Sequence, residues 1–254
     1  MFLVMKRMIW GLLLALFLVP QAFALNVADT TVVIPVIART PGAPPSLWRT
    51  DVFIGNPYTP TAVITMKFYV SGGSMLQSTI TLQPFSTATL PDIVLNTFGV
   101  TTASGELELT CATSIEARAN IFNAGSSAGN FGQAVPGLGK STLRIQAYLY
   151  GLSGIDGNRC NVGVTNPNDF DLTVQVLVFD SSNHFLHTRS VPLSPHQNVQ
   201  FNDIFATFGI TPQAGVTVQF TSGSDIGNVI YGYASMVRND SGDPIFLFGT
   251  GPNV

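Results

Sequence analysis

The chain has 254 residues, 46% of them hydrophobic and only 10% charged, with 24 Gly, 16 Pro and a formal net charge of −3. Globular domains usually carry about 25% charged residues, so this surface is wetted mainly by Thr, Ser, Asn, Gln and backbone. There is no basic excess to track phosphates, which argues against nucleic acid as a partner, and the apolar content excludes a disordered chain.

Residues 1–24 carry the three parts of a secretory signal peptide: the positive Lys6-Arg7 pair, an apolar run from Met8 to Val19, and Ala22-Phe23-Ala24 as an A-x-A cleavage site. Pro20 and Gln21 close the run short of the about 20 apolar residues a spanning helix needs. No later stretch reaches that length without polar interruption. The expectation is an exported protein with no membrane span after signal cleavage, located in the periplasm, at the cell surface or outside the cell.

Beyond the leader, strands are predicted over Val32 to Ala38, around Val52 to Ile54, and over Ala62 to Phe68, where alternate residues are apolar. Breaks fall at Pro57, Gly72-Gly73, Pro84 and Gly99. A short helix is predicted over Pro91 to Phe98, with an Asp in its first turn and Gly99 as its stop. Further strands are predicted over Gly105 to Thr110 and Glu116 to Phe122.

The chain then repeats itself. Arg49-Thr50-Asp51-Val52-Phe53-Ile54-Gly55-Asn56-Pro57 returns as Arg159-Cys160-Asn161-Val162-Gly163-Val164-Thr165-Asn166-Pro167, both R-x-[DN]-V-x-[IV]-x-N-P. Ala62, Ile64, Met66 and Phe68 meet Leu172, Val174, Val176 and Val178. Ile80, Leu82 and Pro84 meet Val191, Leu193 and Pro195. Asp92-Ile93 meets Asp203-Ile204, and Thr97-Phe98-Gly99 meets Thr207-Phe208-Gly209, which puts a second helix over Asn202 to Phe208. The expected fold is all-β, with two tandem homologous immunoglobulin-like β-sandwich domains after the signal peptide, 25–138 and 139–254. The join at Gly137-Leu138-Gly139-Lys140-Ser141 is short and glycine-bearing, which implies limited bending.

Ile34-Pro-Val-Ile-Ala-Arg-Thr-Pro-Gly42, Trp48-Arg-Thr-Asp-Val-x-Ile-x-Asn-Pro57 and the closing Ser241-Gly-Asp-Pro244 resemble a family of secreted bacterial proteins with paired immunoglobulin-like repeats. The resemblance spans nearly the whole chain beyond the leader. It implies the fold, and brings no assigned activity or ligand.

Chemistry is sparse. Cys111 and Cys160 occupy non-equivalent repeat positions, so a disulfide would have to join the two repeats, and the other reading is two buried free thiols. His184, His187 and His196 read as exposed hairpin residues. His184 and His187, three apart on a strand, point to opposite faces and do not converge on a metal. Asn166 to Asp171 and Asn239 to Asp243 read as turns rather than calcium loops. Glu106 and Glu108 share one strand face, read as exposed. No catalytic, metal or cofactor constellation emerges.

Possible ligand or partner contacts are the aromatics Trp48, Tyr58 and Phe170 and the cations Arg39 and Lys140. The preferred reading is a non-enzymatic exported structural, adhesion or assembly protein, with a protein partner or self-association at the cell surface through exposed edge strands. One alternative is a carbohydrate-binding module pair whose loop aromatics stack on glycan. The other is a two-domain periplasmic chaperone with Arg39 and Lys140 as a carboxylate clamp.

Overall fold

The computed structural model describes residues 28–42, 46–125 and 131–251, so the expected signal peptide lies outside the described residues. The fold is all-β and antiparallel. The N-terminal half contains β1 (Asp29–Pro41), β2 (Leu47–Gly55), β3 (Ala62–Val70), β4 (Met75–Leu82), β5 (Thr87–Leu90), a one-turn helix α1 (Ile93–Asn96), β6 (Ala103–Asn123), β7 (Gly132–Pro136) and β8 (Leu138–Gly139). A 3-10 turn (Lys140–Thr142) leads into the C-terminal half. This half contains β9 (Gln146–Leu152), β10 (Asn158–Thr165), β11 (Leu172–Phe179), β12 (Phe185–Leu193), β13 (Asn198–Phe201), α2 (Ile204–Phe208), β14 (Val216–Thr221), β15 (Tyr231–Arg238) and β16 (Pro244–Phe248). Among the described residues no helix is long and apolar enough to cross a membrane.

The C-terminal half is two four-stranded sheets, ordered β13-β10-β15-β16 and β12-β11-β14-β9. Inward residues of both, such as Val162, Val164, Val176, Val218 and Phe220, meet in one core. That is the outcome of period-2 alternation in strands buried on one face. The N-terminal half uses the same pairings but joins its layers into one path, β4-β3-β6-β1-β2-β5. Here the two predicted strands, Gly105 to Thr110 and Glu116 to Phe122, are one 21-residue strand, β6. Its first part pairs with β3 and β1, and Glu116 to Asn123 pair with β2. The β1–β6 register slips between Asp29↔Ile115 and Thr31↔Thr110, an irregularity of the kind that lets a strand bend between layers. A second core, from Val32 to Val135, fills this half.

The repeated motif residues are loop staples. The Asp51 carboxylate accepts the backbone N–H of Asp92 at 2.8 Å, and Asn161 does the same for Asp203 at 2.9 Å. Those aspartates have φ of 41° and 46° and occupy the N-cap positions with no side-chain capping hydrogen bond, which corrects the expectation of an acid within the first turn. The glycine stops hold: Gly99 and Gly209 sit at φ +71° and +66°. Helix α2 carries the chain from one sheet to the other, since β13 and β14 belong to different sheets.

The second staple is the Asn of each Asn-Pro. Asn56 donates to the carbonyls of Pro60 (2.8 Å) and Gln83 (3.1 Å), and Asn166 donates to Phe170 (2.8 Å) and Ser194 (3.0 Å). Asn166 also accepts from the backbone N–H (3.1 Å) and the side chain (2.7 Å) of Asn168. Asn166→Ala would orphan several buried groups at once, so it is expected to cost about 2 kcal/mol, read as a lower midpoint in thermal unfolding. An unchanged midpoint would mean that the loops hold their shape unaided.

Candidate functional site

Where the two halves meet, an apolar patch is joined by a charged cluster whose centre, Glu106, Glu108 and His196, is buried. Val33 and Leu138 of the N-terminal half pack with Leu143, Tyr231 and Tyr233 of the C-terminal half. Polar contacts follow: Tyr231 Oη donates to the Pro136 carbonyl at 2.7 Å, and Thr165 Oγ1 donates to the Pro35 carbonyl at 3.1 Å. The join is held rather than loose. Ser141 donates its backbone N–H to Asp29 at 3.0 Å, and Leu138 and Leu143 on either side of it are buried.

The charged cluster is built around His196. The β12–β13 turn closes through the Gln197 N–H donating to the Ser194 carbonyl (3.2 Å), and His196 takes φ 55° at its tip. Its ring lies flat on Tyr69 of β3, with centroids 3.6 Å apart and planes 2° apart. Nδ1 is 3.0 Å from Glu106 Oε1 and Nε2 is 2.9 Å from Asp169 Oδ1. A neutral imidazole donates through only one nitrogen, so carboxylates at both favour the imidazolium. Strand register supplies the rest: Tyr69 stands opposite Glu106 and Lys67 opposite Glu108. Lys67 Nζ reaches Glu108 Oε1 at 3.3 Å, and Lys140 Nζ lies 3.8 Å from Oε2. Three carboxylates therefore face three cations.

Burial sets the protonation. Burial pushes Glu106 up to about 7, against the opposing hydrogen bond and charge of His196, and Glu108 adds to the rise. For His196 burial alone acts downward, but the hydrogen bond and charge of Glu106, then Asp169, leave it raised. The hydrogen bond from His196 holds Asp169 low. Burial and the negative charge of Glu108 push Tyr69 up, so it stays a neutral phenol. Among the described residues Glu106 Oε2 has no hydrogen-bond partner.

A histidine between carboxylates is also an acid–base arrangement. Here both ring nitrogens are engaged, Tyr69 covers a face, and the side chain is only 4% exposed, which leaves almost no surface for a substrate. Donor atoms of Glu106, Glu108 and His196 lie within 4.8 Å of one another, as a metal donor set would. The cluster already contains its own cations, and an imidazolium has no lone pair to offer a metal. The chemistry this arrangement performs is adhesion of one half to the other.

A cleft of about 560 Å³ lies beside the junction. Trp48, Ala38 and Ile121 line it from the N-terminal half, and Asn161, Asn198 and Gln200 from the C-terminal half. Trp48 is half-buried and packs against the N-terminal core. Tyr58 and Phe170 are about half exposed on the two Asn-Pro loops.

Arg39 and Lys140 are not brought together. Arg39 pairs with Asp92 at 3.0 Å and donates to the Thr101 carbonyl, whereas Lys140 faces Glu108. Lys140 follows the β8 residues paired with Val32 and Val33, and Arg39 is at the other end of β1. At about 3.3 Å per residue they stand roughly 20 Å apart along the strand, too far for one carboxylate. The two cysteines are unbridged: Cys160 is buried in the C-terminal core, where burial pushes its thiol up to about 12, and Cys111 packs on the N-terminal core. His184 is exposed and pairs with Asp180 at 2.9 Å, and His187 stacks on Phe208. The expected exposure of His196, Glu106 and Glu108 is corrected, since all three are buried.

No family model matches the chain, and no curated protein matches it. Among solved structures it is similar to the crystal structure of Thermotoga maritima 1070, at 10% identity over 44% of this chain and 96% of that one, with a TM-score of 0.37. A calcium-binding mutant of Bacteroides uniformis β-glucuronidase 2 is 8% identical over 88% of this chain, with a TM-score of 0.18. Parabacteroides merdae β-glucuronidase is 10% identical over 88% of this chain, with a TM-score of 0.19. The chain spans 32% and 34% of those two enzymes, and at such scores the likeness carries no argument about activity.

Proposed function

We propose that the protein is a non-enzymatic, exported structural or adhesion building block, made of two immunoglobulin-like domains that behave as one rigid unit and assemble at the cell surface. The observation that carries this reading is the junction at which buried His196 and Glu106 meet, with half-buried Tyr69 stacked on the ring and exposed Asp169 closing the outer side. Lys67, Lys140, Glu106, Glu108 and Asp169 meet there with His196 and fix the halves to each other, and all but Lys140 stand where the other repeat has an uncharged residue. A surface with little charge removes the repulsion that keeps copies apart, and export is supported by the leader-like residues 1–24. Light scattering on the purified protein across a concentration series tests the reading. Mass rising with concentration is expected, and a strict monomer at every concentration would contradict it.

One observation favours a second reading, glycan binding. The junction cleft is lined both by Trp48 and by the amide side chains of Asn161, Asn198 and Gln200, a combination of aromatic surface and polar groups that suits sugars. Loss of glycan-array binding in Trp48→Ala with its fold retained would support it. No binding by the wild-type protein across a broad array would remove it.

A further inference from the structure

The internal junction has a counterpart with both sides vacant. Pro84 and Phe85 are the repeat equivalents of Pro195 and His196, and Phe85 takes φ 54° against 55° for His196. Both turns close the same way, Ser86 donating to the Gln83 carbonyl as Gln197 does to Ser194. Yet His196 is 6% exposed and Phe85 is 70% exposed. On the receiving side, Lys67, Tyr69, Glu106 and Glu108 correspond by strand register to Leu177, Phe179, Thr217 and Gln219: Tyr69 pairs with Glu106 as Phe179 pairs with Thr217, and Lys67 with Glu108 as Leu177 with Gln219. Leu177, Phe179, Thr217 and Gln219 keep part of their surface exposed. Beside them Tyr148 stacks with Tyr150, and Phe185 packs edge-on to Phe179. Tyr150 and Phe185 are 63% and 57% exposed.

The two surfaces differ from the internal pair in the same direction. At the occupied junction a charged tip, His196 with Asp169, meets a charged face. At the vacant one the tip is Phe85 with Tyr58 and Thr59, where Thr59 takes the place of Asp169, and the face is Phe179, Leu177, Thr217 and Gln219. Apolar tip and uncharged aromatic face match each other, and neither matches its charged counterpart.

We propose that copies of this chain stack head to tail, the Phe85 turn and Tyr58 loop of one copy docking on the outer face of β9, β14 and β11 of the next, as the His196 turn docks on the N-terminal sheet within one chain. Resting on the assembly reading above, this names the interface and the partner, a second copy. Tip and face are different surfaces, so the contact is heterologous and grows as an open chain unless its rotation closes a ring. Buried aromatics at its centre dominate the affinity.

The test uses Phe85→Asp, which suits a left-handed turn position, and Phe179→Glu, with Leu177→Glu in its place if circular dichroism shows Phe179→Glu unfolded. Each variant alone is expected to associate at least about tenfold more weakly than wild type in sedimentation velocity. Mixed one to one they should form dimers and nothing longer. The mixture contains one intact tip and one intact face, while the carboxylates introduced on the altered tip and the altered face repel each other. Failure of the mixture to dimerise overturns the head-to-tail contact. So does undiminished assembly of both variants, and if Thr79→Lys on edge strand β4 then abolishes assembly, the contact is edge pairing and the assembly reading survives. A wild type that never associates overturns both.

Discussion

Replacing His196 with alanine is expected to lower the stability of the protein by about 3–5 kcal/mol. The change removes the cation between Glu106 and Asp169, and Glu106 has no solvent to fall back on: its side chain is 0% exposed and Oε2 already has no partner among the described residues. Either an uncompensated charge stays in the junction or the carboxyl takes a proton, and both outcomes cost free energy. Tyr69 also loses the ring stacked on it. For a chain of this size about 1 kcal/mol moves the midpoint by roughly 2–4 °C, so the thermal transition should fall by roughly 10 °C. Adding Glu106→Gln to His196→Ala should recover part of the loss, because much of it resides in the stranded carboxyl. A loss under about 1 kcal/mol would place the pair among solvent-screened surface bridges and contradict the burial described above.

The second large effect is a dependence on pH with an unusual sign. Glu106 is raised from 4.5 to about 7 by burial, and His196 is raised from 6.5 because the two carboxylates outweigh its burial. Both shifts mean that the folded junction binds protons the unfolded chain has released. Their stabilisation is complete below the ordinary values of the two groups and is lost as pH rises through the folded ones. Stability should therefore fall between about pH 5 and pH 8, where many proteins are near their maximum. At about 1.4 kcal/mol per unit, the Glu106 shift is worth on the order of 3 kcal/mol, and as the two groups titrate together the His196 shift does not simply add. Asp169 has the opposite sign: held low by His196, it contributes stability that disappears as pH falls below its ordinary value. Thermal midpoints at closely spaced pH values check this. A profile flat or rising from pH 6 to pH 8 would contradict it, and the Glu106→Gln/His196→Ala double variant should flatten the wild-type fall.

The strands, helices and glycine stops were legible because their causes are local. Alternation in Ala62 to Phe68 reports one buried face, and Gly99 and Gly209 mark left-handed stops that few other residues tolerate. The repeat showed which positions matter, and the structure supplies the reason: Asp51, Asn161, Asn56 and Asn166 hold backbone groups of neighbouring loops. The junction was not legible. Glu106 and His196 are 90 residues apart in sequence, and an acid alternating with leucine has the same pattern whether its outer face meets water or another sheet. The sequence does carry one signal of it. In a chain with so few charges, Lys67, Glu106, Glu108, Asp169 and His196 all fall where the other repeat has an uncharged residue. Repeats that must dock on each other, and not on themselves, differ at the contact. The same comparison exposes Phe85, whose turn is equivalent to one that is fully used elsewhere in the chain.

Differential scanning calorimetry on the purified protein at pH 6 tests most directly whether the two halves are one rigid unit. A single transition is expected, with calorimetric and van't Hoff enthalpies equal, because the junction couples the two cores. Two separable transitions in the wild type, unaltered by His196→Ala, would show the halves to be independent and the junction to be a weak contact.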